Sequence, residues 1–224
     1  MGESILKLGL SADEVLSTTR AVRKRLDFER PVEIAVLEEC LALAMQAPSG
    51  SNRQHYQWVF VTDPELRKQV GEVYREKFMI NAGANRAAIP EKLYGAKDVR
   101  SEGFEKLIGS VGYLAENIEK VPVLMVPCIE GRVETTSLNQ SAAQFGSIMP
   151  AVWSFMLAAR ERELGSTWTS AHLKEDGEQR VAAILGIPEN YTQVGLFPIA
   201  YTIGTDFKRA KRLPAESLMH INHW

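Results

Sequence analysis

Ser141-Ala142-Ala143-Gln144-Phe145-Gly146-Ser147-Ile148-Met149-Pro150-Ala151-Val152-Trp153-Ser154-Phe155-Met156-Leu157-Ala158-Ala159 contains no charged side chain, and its reading decides the fold. Its length approaches that of a membrane span. However, Gln144, Ser147, Pro150 and Ser154 interrupt it, polar Ser137-Leu138-Asn139-Gln140 precedes it, and Arg160-Glu161-Arg162-Glu163 closes it. A helix apolar on most faces but punctuated by polar groups belongs inside a protein. The stretch is therefore expected to be a central buried helix, shared across a subunit interface.

Composition agrees with a core of that kind. A chain of 224 residues with 45% hydrophobic content can bury a full core as one domain over 1–224. Its 26 basic and 28 acidic residues leave a net charge of -2, so neither nucleic acid nor a membrane is expected as a partner. Cys40 and Cys128 lie in apolar runs without metal-ligand spacing, and no secretory segment precedes them. Both are read as buried, reduced thiols of a cytoplasmic protein.

Outward from the central helix, helical and strand patterns alternate. Ser11 followed by Glu14 has the form of a capping box. Pro31 suits the first turn of a second helix, whose Ile34, Leu37, Leu41 and Ala44 would bury one stripe before Pro48 and Gly50 end it. Trp58-Val59-Phe60-Val61, the run 121–127 and the run 197–204 read as strands, with Pro198 at a strand start or on an edge. Few strands among long helices predict an α+β layer. Residues 78–106, with Asn81-Ala82-Gly83-Ala84-Asn85 and Tyr94-Gly95-Ala96-Lys97, form the least regular region. Its two readings are a mobile surface insertion and an active-site lid. No internal repeat, low-complexity tract or linker divides the chain.

Several chemistries are excluded by what the chain lacks. His220 and His223 have no Cys, Asp or Glu at zinc-ligand spacing, so a polar tail is expected there and no metal. Neither a Gly-x-Gly-x-x-Gly nor a Gly-Lys-Ser phosphate loop is present, so any phosphate must be gripped by side chains. Cys40 falls at helical spacing without a His partner and reads as core.

Four separated pieces remain: Thr19-Arg20-Ala21-Val22-Arg23; Pro48-Ser49-Gly50-Ser51-Asn52-Arg53-Gln54; Leu164-Gly165-Ser166-Thr167-Trp168-Thr169-Ser170-Ala171-His172; and Lys208-Arg209-Ala210-Lys211-Arg212-Leu213-Pro214-Ala215-Glu216. In this order they resemble the nitroreductase family. The first is similar to its Arg-Arg-Ser-Val-Arg motif, with Thr19 for the first Arg and Ala21 for the Ser. The second is similar to Pro-Ser-x-x-Asn-x-Gln, continued by His55-Tyr56 where the family has Pro-Trp. The third resembles Leu-Gly-x-x-Trp-Ile-Gly-Gly-Phe, with Ser170 and Ala171 at the paired glycines.

The resemblance implies a nitroreductase-like α+β fold, with a mostly antiparallel central sheet flanked by helices, in an intertwined homodimer with FMN at the subunit interface. It implies that Arg23 faces the FMN phosphate or the N1/O2 edge of the ring, with Arg20 compensating for Thr19 and Ala21. Arg212 would grip the phosphate, and the backbone at Ser170 and Ala171 would pass flavin N5. Pro48, Ser49, Gly50, Asn52 and Gln54 would reach the FMN of the opposite subunit, and residues 213–224 would form an arm on that subunit.

The activity so implied is an FMN-dependent oxidoreductase that takes hydride from NAD(P)H and reduces nitroaromatic, quinone or related small-molecule acceptors in a ping-pong cycle, with no protein acid, base or nucleophile needed for the hydride step. The alternatives are a non-catalytic flavin-binding or sensing protein, suggested by the altered cradle, and the family's reductive dehalogenase or flavin-consuming chemistries.

Overall fold

Short polar signals set where the first elements begin. In the computed structural model, which describes residues 5–80, 89–95, 97–101 and 103–224, helix α1 (Ala12–Thr18) opens on the expected capping box. Ser11 Oγ accepts the Glu14 amide, and the Glu14 carboxylate accepts the Ser11 amide. Helix α2 (Ile34–Ala44) starts later than Pro31 suggested, with Glu33 at its N-cap. Its buried stripe is Val36, Leu37, Cys40 and Ala44, while Ile34 is 54% exposed. At 3.6 residues per turn Ile34 lies roughly 100° round the helix from the centre of that stripe, which is why the expected set was rotated to one side.

Among the described residues five strands form one antiparallel sheet: β1 (Tyr56–Val61), β2 (Val123–Glu130), β3 (Leu164–Ser166), β4 (Tyr191–Gln193) and β5 (Phe197–Tyr201). The order is β1-β2-β5-β3, and β4 pairs with the far end of β2. β1 and β2 pair from Tyr56 opposite Ile129 to Val61 opposite Leu124. Pro198, the second residue of β5, faces Leu124. It therefore stands at a strand start, as one of the two expectations had it, though on an inner strand.

The pleat of β2 divides the core in two. Val123, Met125 and Ile129 point to a cluster shared with α2 and with α6 (Leu138–Glu161), through Leu37, Cys40, Ile148 and Phe155. Leu124, Val126 and Cys128 point to a second cluster under α3 (Pro64–Met79), α5 (Phe104–Asn117) and α7 (Gly177–Leu185), through Tyr74, Leu114, Ile118 and Val181. Asp63 caps α3 by accepting the Leu66 amide, and Pro64 occupies its first turn.

Helix α6 is the uncharged stretch, extended at both ends. It starts on a Ser137–Gln140 capping box and packs Ile148, Val152 and Phe155 inward. By length and composition it could cross a membrane, but half of its most apolar window is buried by the rest of the chain. Phe145 and Trp153 on the same helix remain exposed.

Cys40 and Cys128 are free and buried, and burial pushes both thiols up to about 12. Between α3 and α5, the described residues of the region 78–106 include a short helix, α4 (Ile89–Tyr94). The expected loop at 81–85 falls outside the described residues. From residue 214 onward the chain is exposed, with Leu218, Met219, Ile221 and Trp224 uncovered.

Candidate functional site

Three of the four pieces converge around β3. Ala21 bridges Ser166 in parallel, and the Val22 amide donates to the Ser166 carbonyl at 2.9 Å. Close approach is possible because residue 165 is Gly: a Cβ there would lie 2.6 Å from Thr202 Cγ2 and 3.0 Å from Val22 Cβ. The end of α6 brings the C-terminal piece alongside. Arg160 donates to the Thr205 carbonyl at 2.9 Å, and Arg20 donates to the Lys208 carbonyl at 2.8 Å. The result is a cleft of about 740 Å³ lined by Arg20, Arg100, Lys211 and Arg212, with Phe104, Leu107 and Leu218 among its apolar walls.

Among the described residues, charge in this cleft is unbalanced. Arg25, Arg75, Arg132, Arg162 and Arg180 each meet a carboxylate at 2.5–2.7 Å, and Arg100 is held by Asp98. Arg20, Arg23 and Arg212 have no carboxylate partner among the described residues. Partial burial, and then repulsion from Arg212, pulls the Arg20 guanidinium below its ordinary basicity. Burial does the same to Arg23. Two mutually repelling guanidiniums in one cleft, with a half-buried third nearby in sequence, suit a phosphorylated ligand, because an added anion relieves both the repulsion and the desolvation. The residues present therefore fit the phosphate of FMN.

The third piece turns sharply after β3. Thr169 exchanges both backbone bonds with Leu196, at 3.0 and 2.8 Å, and Trp168 Nε1 donates to the Val194 carbonyl at 2.9 Å. Residue 195 has to be Gly, since a Cβ would collide with the Trp168 indole. Ser170 is exposed, and Ala171 starts a buried single turn, Ala171–Leu173. From α3, the Tyr74 hydroxyl meets Thr169 Oγ1 at 3.1 Å. Neither Tyr74 nor the Thr169 hydroxyl was singled out from sequence. A tyrosine on an apolar helical stripe reads as core, and its partner lies 95 residues away.

His172 follows, fully buried, with both ring nitrogens outside hydrogen-bond geometry to any partner among the described residues. Burial lowers it to about 4, with Gln193 near enough to oppose the shift.

The Pro48 piece lies elsewhere. Its backbone is left-handed at Ser51 (φ 51°), Asn52 (φ 53°) and Gln54 (φ 48°), a costly shape for side-chain-bearing residues. The Gln54 amide donates to Ser49 Oγ at 3.3 Å and Gln54 Nε2 to Asn52 Oδ1 at 2.9 Å. The Gly50 amide donates to buried Ser147 Oγ at 2.9 Å, which docks the loop on α6. Pro48 is exposed beside it. Phe145 and Met149 of α6 share a cleft with Trp168, and Ser147 lies roughly 160° round the helix from them. The loop and the 168–171 turn thus sit on opposite faces of α6. From Ser147 to Arg160, beside the basic segment, the helix rises roughly 20 Å. Within one chain, Pro48, Ser49, Gly50, Asn52 and Gln54 are not brought to Arg20, Arg23, Ser170, Ala171 and Arg212.

The open antiparallel sheet between two helical layers makes this an α+β protein, with an arginine-lined cleft beside it. The chain belongs to the nitroreductase family, whose model matches residues 16–201. Among curated proteins it is similar to the iodotyrosine deiodinase of Nematostella vectensis, at 24% identity over 89% of this chain and 70% of that protein. Its fold is that of the FMN- and NADPH-dependent nitroreductase NfnB from Sphigopyxis sp. strain HMH, with a TM-score of 0.67 at 20% identity over 96% and 100% of the two chains. An iodotyrosine deiodinase structure bound to FMN and 3-iodo-L-tyrosine superposes with a TM-score of 0.66 at 19% identity, over 90% and 94% of the chains.

Proposed function

We propose that this protein is an FMN-dependent oxidoreductase, active as a homodimer in the cytoplasm, that takes hydride from NAD(P)H and passes two electrons to a nitroaromatic, quinone or related small-molecule acceptor in a ping-pong cycle. The observation that carries the proposal is the meeting of Arg20 and Arg212 in one cleft, with Arg23 nearby in sequence and no carboxylate partner on any of the three among the described residues. FMN, when bound, supplies the hydride-accepting atom, and the protein need supply no acid, base or nucleophile for that step.

In this reading Arg20 and Arg212 hold the phosphate, and Arg23 faces the ring edge where negative charge develops on reduction. The backbone at Ser170 and Ala171 lies against the ring. Pro48, Ser49, Gly50, Asn52 and Gln54 come from the partner subunit. The likeness to iodotyrosine deiodinase supports a second acceptor chemistry, reductive removal of halide from a phenol.

The purified protein is expected to be yellow and to release FMN. Anaerobic mixing with NADH or NADPH should bleach the flavin band, and nitroaromatics, quinones or halogenated phenols should restore it. A band that persists with both reductants would make the protein a flavin binder, and a colourless protein that fails to take up FMN would end the proposal. Arg212→Ala should weaken FMN binding at least tenfold, or about 1.4 kcal/mol. Unchanged affinity in a fluorescence titration would return Arg212 to a solvated loop.

A further inference from the structure

The chain between α4 and α5 delivers one more guanidinium to the arginine cleft. Arg100 lines it together with Arg20, Lys211 and Arg212, although it belongs to none of the four family-like pieces. Val99, Gly103, Phe104 and Leu107 line the cleft beside it, so the segment that leads into α5 is one of the cleft's walls.

Arg100 is clamped in place. Asp98 Oδ1 accepts from Arg100 Nε and Asp98 Oδ2 from Arg100 Nη2, both at 2.8 Å, which is the bidentate fork of a carboxylate on a guanidinium. Asp98 Oδ1 also accepts the Arg100 amide at 2.8 Å, so one carboxylate fixes both the backbone and the side chain. The guanidinium lies over the Tyr94 ring, 3.8 Å from its centroid. The Arg100 side chain and amide hold the Asp98 carboxyl down to about 2, and the pair is therefore intact at neutral pH.

On an open surface such a pair contributes little to stability. In this cleft it has a different use. The fork takes the Nε proton and one Nη2 proton, which leaves Nη1 and the second Nη2 proton uncommitted among the described residues. A phosphate monoester presents three strong acceptor oxygens, more than the forks of Arg20 and Arg212 fill. Because Asp98 offsets the charge of Arg100, the pair supplies directed donors to the cleft and little net charge. Donors fixed in advance lose less freedom on binding than free side chains do.

Taking the FMN site proposed above as given, we infer that Arg100 is a third phosphate-binding residue of the cleft and that Asp98 is the positioning residue that presents it.

The test is a fluorescence titration of flavin-depleted protein with FMN and, in parallel, with riboflavin, which has the same ring and ribityl chain without the phosphate. Arg100→Ala should weaken FMN binding by about threefold to tenfold. Riboflavin should bind the wild type and the variants alike, however weakly. Asp98→Asn separates positioning from charge. Removal of an anion beside a phosphate site would tighten FMN binding if charge alone counted, whereas loss of the clamp should weaken it by about twofold to fivefold.

Unchanged FMN affinity in Arg100→Ala would return Arg100 to a surface ion pair. Equal losses for FMN and riboflavin would make it a packing residue of the wall, and tighter FMN binding in Asp98→Asn would show that Asp98 opposes the phosphate. Altered discrimination between NADPH and NADH, at unchanged FMN affinity, would assign Arg100 to the reductant. Each of these results overturns the inference. If Arg100→Ala fails to fold, Arg100→Gln, which keeps most of the stem, decides it. Failure of the wild type to bind FMN would remove the function reading and this inference together, while wild-type binding with unmoved variants removes the inference only.

Discussion

His172 shows how one side chain can carry a pH dependence that no motif announces. It stands where the family pattern ends in Phe, and it is buried and held neutral, with its ring lowered to about 4. An unfolded chain would take up a proton near pH 6.5, whereas the native state refuses it down to about 4. The stability tied to this group is therefore complete above roughly pH 6.5 and is lost as pH falls through that window, by up to about 3 kcal/mol at the acid end. His172→Phe should flatten the loss, so its urea midpoint should drop less between pH 7.5 and pH 5 than the wild type's. Equal drops would show that His172 does not titrate there. Arg20 and Arg212 could be picked out in the sequence because each sits in a short local pattern, whereas Arg100, which lines the same cleft, could not. Nor could Tyr74 and Thr169, because their meaning depends on α3 being folded against a turn 95 residues further on.

Length alone did not decide which elements were legible: the seven-residue α1 was read from its capping box, whereas the 16-residue α3 was not singled out. The 24-residue α6 could be read from its missing charges, and β1 and β2 from runs long enough to show a pattern. β3 and β4 have three residues each, too few for any alternation to appear. They are strands because distant partners claim them: β3 pairs with β5 on one side and bridges Ala21 on the other. Gly165 lies at that junction, so Gly165→Ala isolates the contribution of β3 to the site. Its methyl would press on Thr202 and Val22, at a typical overpacking cost of about 1–3 kcal/mol. Because the Val22 amide is bonded to Ser166, the strain should displace the 20–23 segment and weaken FMN binding along with thermal stability. A variant that loses stability but binds FMN as tightly as the wild type would show that the segment is placed independently of β3.

The two half-sites on one chain carry a consequence for assembly. The 48–54 loop is docked on one face of α6 through Ser147, and the 168–171 turn lies against the other. On the proposed reading both serve one flavin ring, which one chain does not bring together, so the proposed site is completed by a second copy. Phe145 and Trp153 on α6, with Leu218, Met219, Ile221 and Trp224 in the terminal segment, supply exposed apolar surface suited to an obligate interface. We expect a dimer with two FMN sites, each built from Arg20, Arg23, Ser170, Ala171 and Arg212 of one subunit and the 48–54 loop of the other. The check is complementation. A subunit carrying Arg23→Ala and Arg212→Ala, and another carrying Asn52→Ala and Gln54→Ala, should each form a homodimer with two impaired sites. In the isolated heterodimer, one site inherits all four defects and the other inherits none. Titration should then recover one FMN of wild-type affinity per heterodimer. Two equally impaired sites, or a monomer that binds FMN normally, would mean that each chain completes its own site.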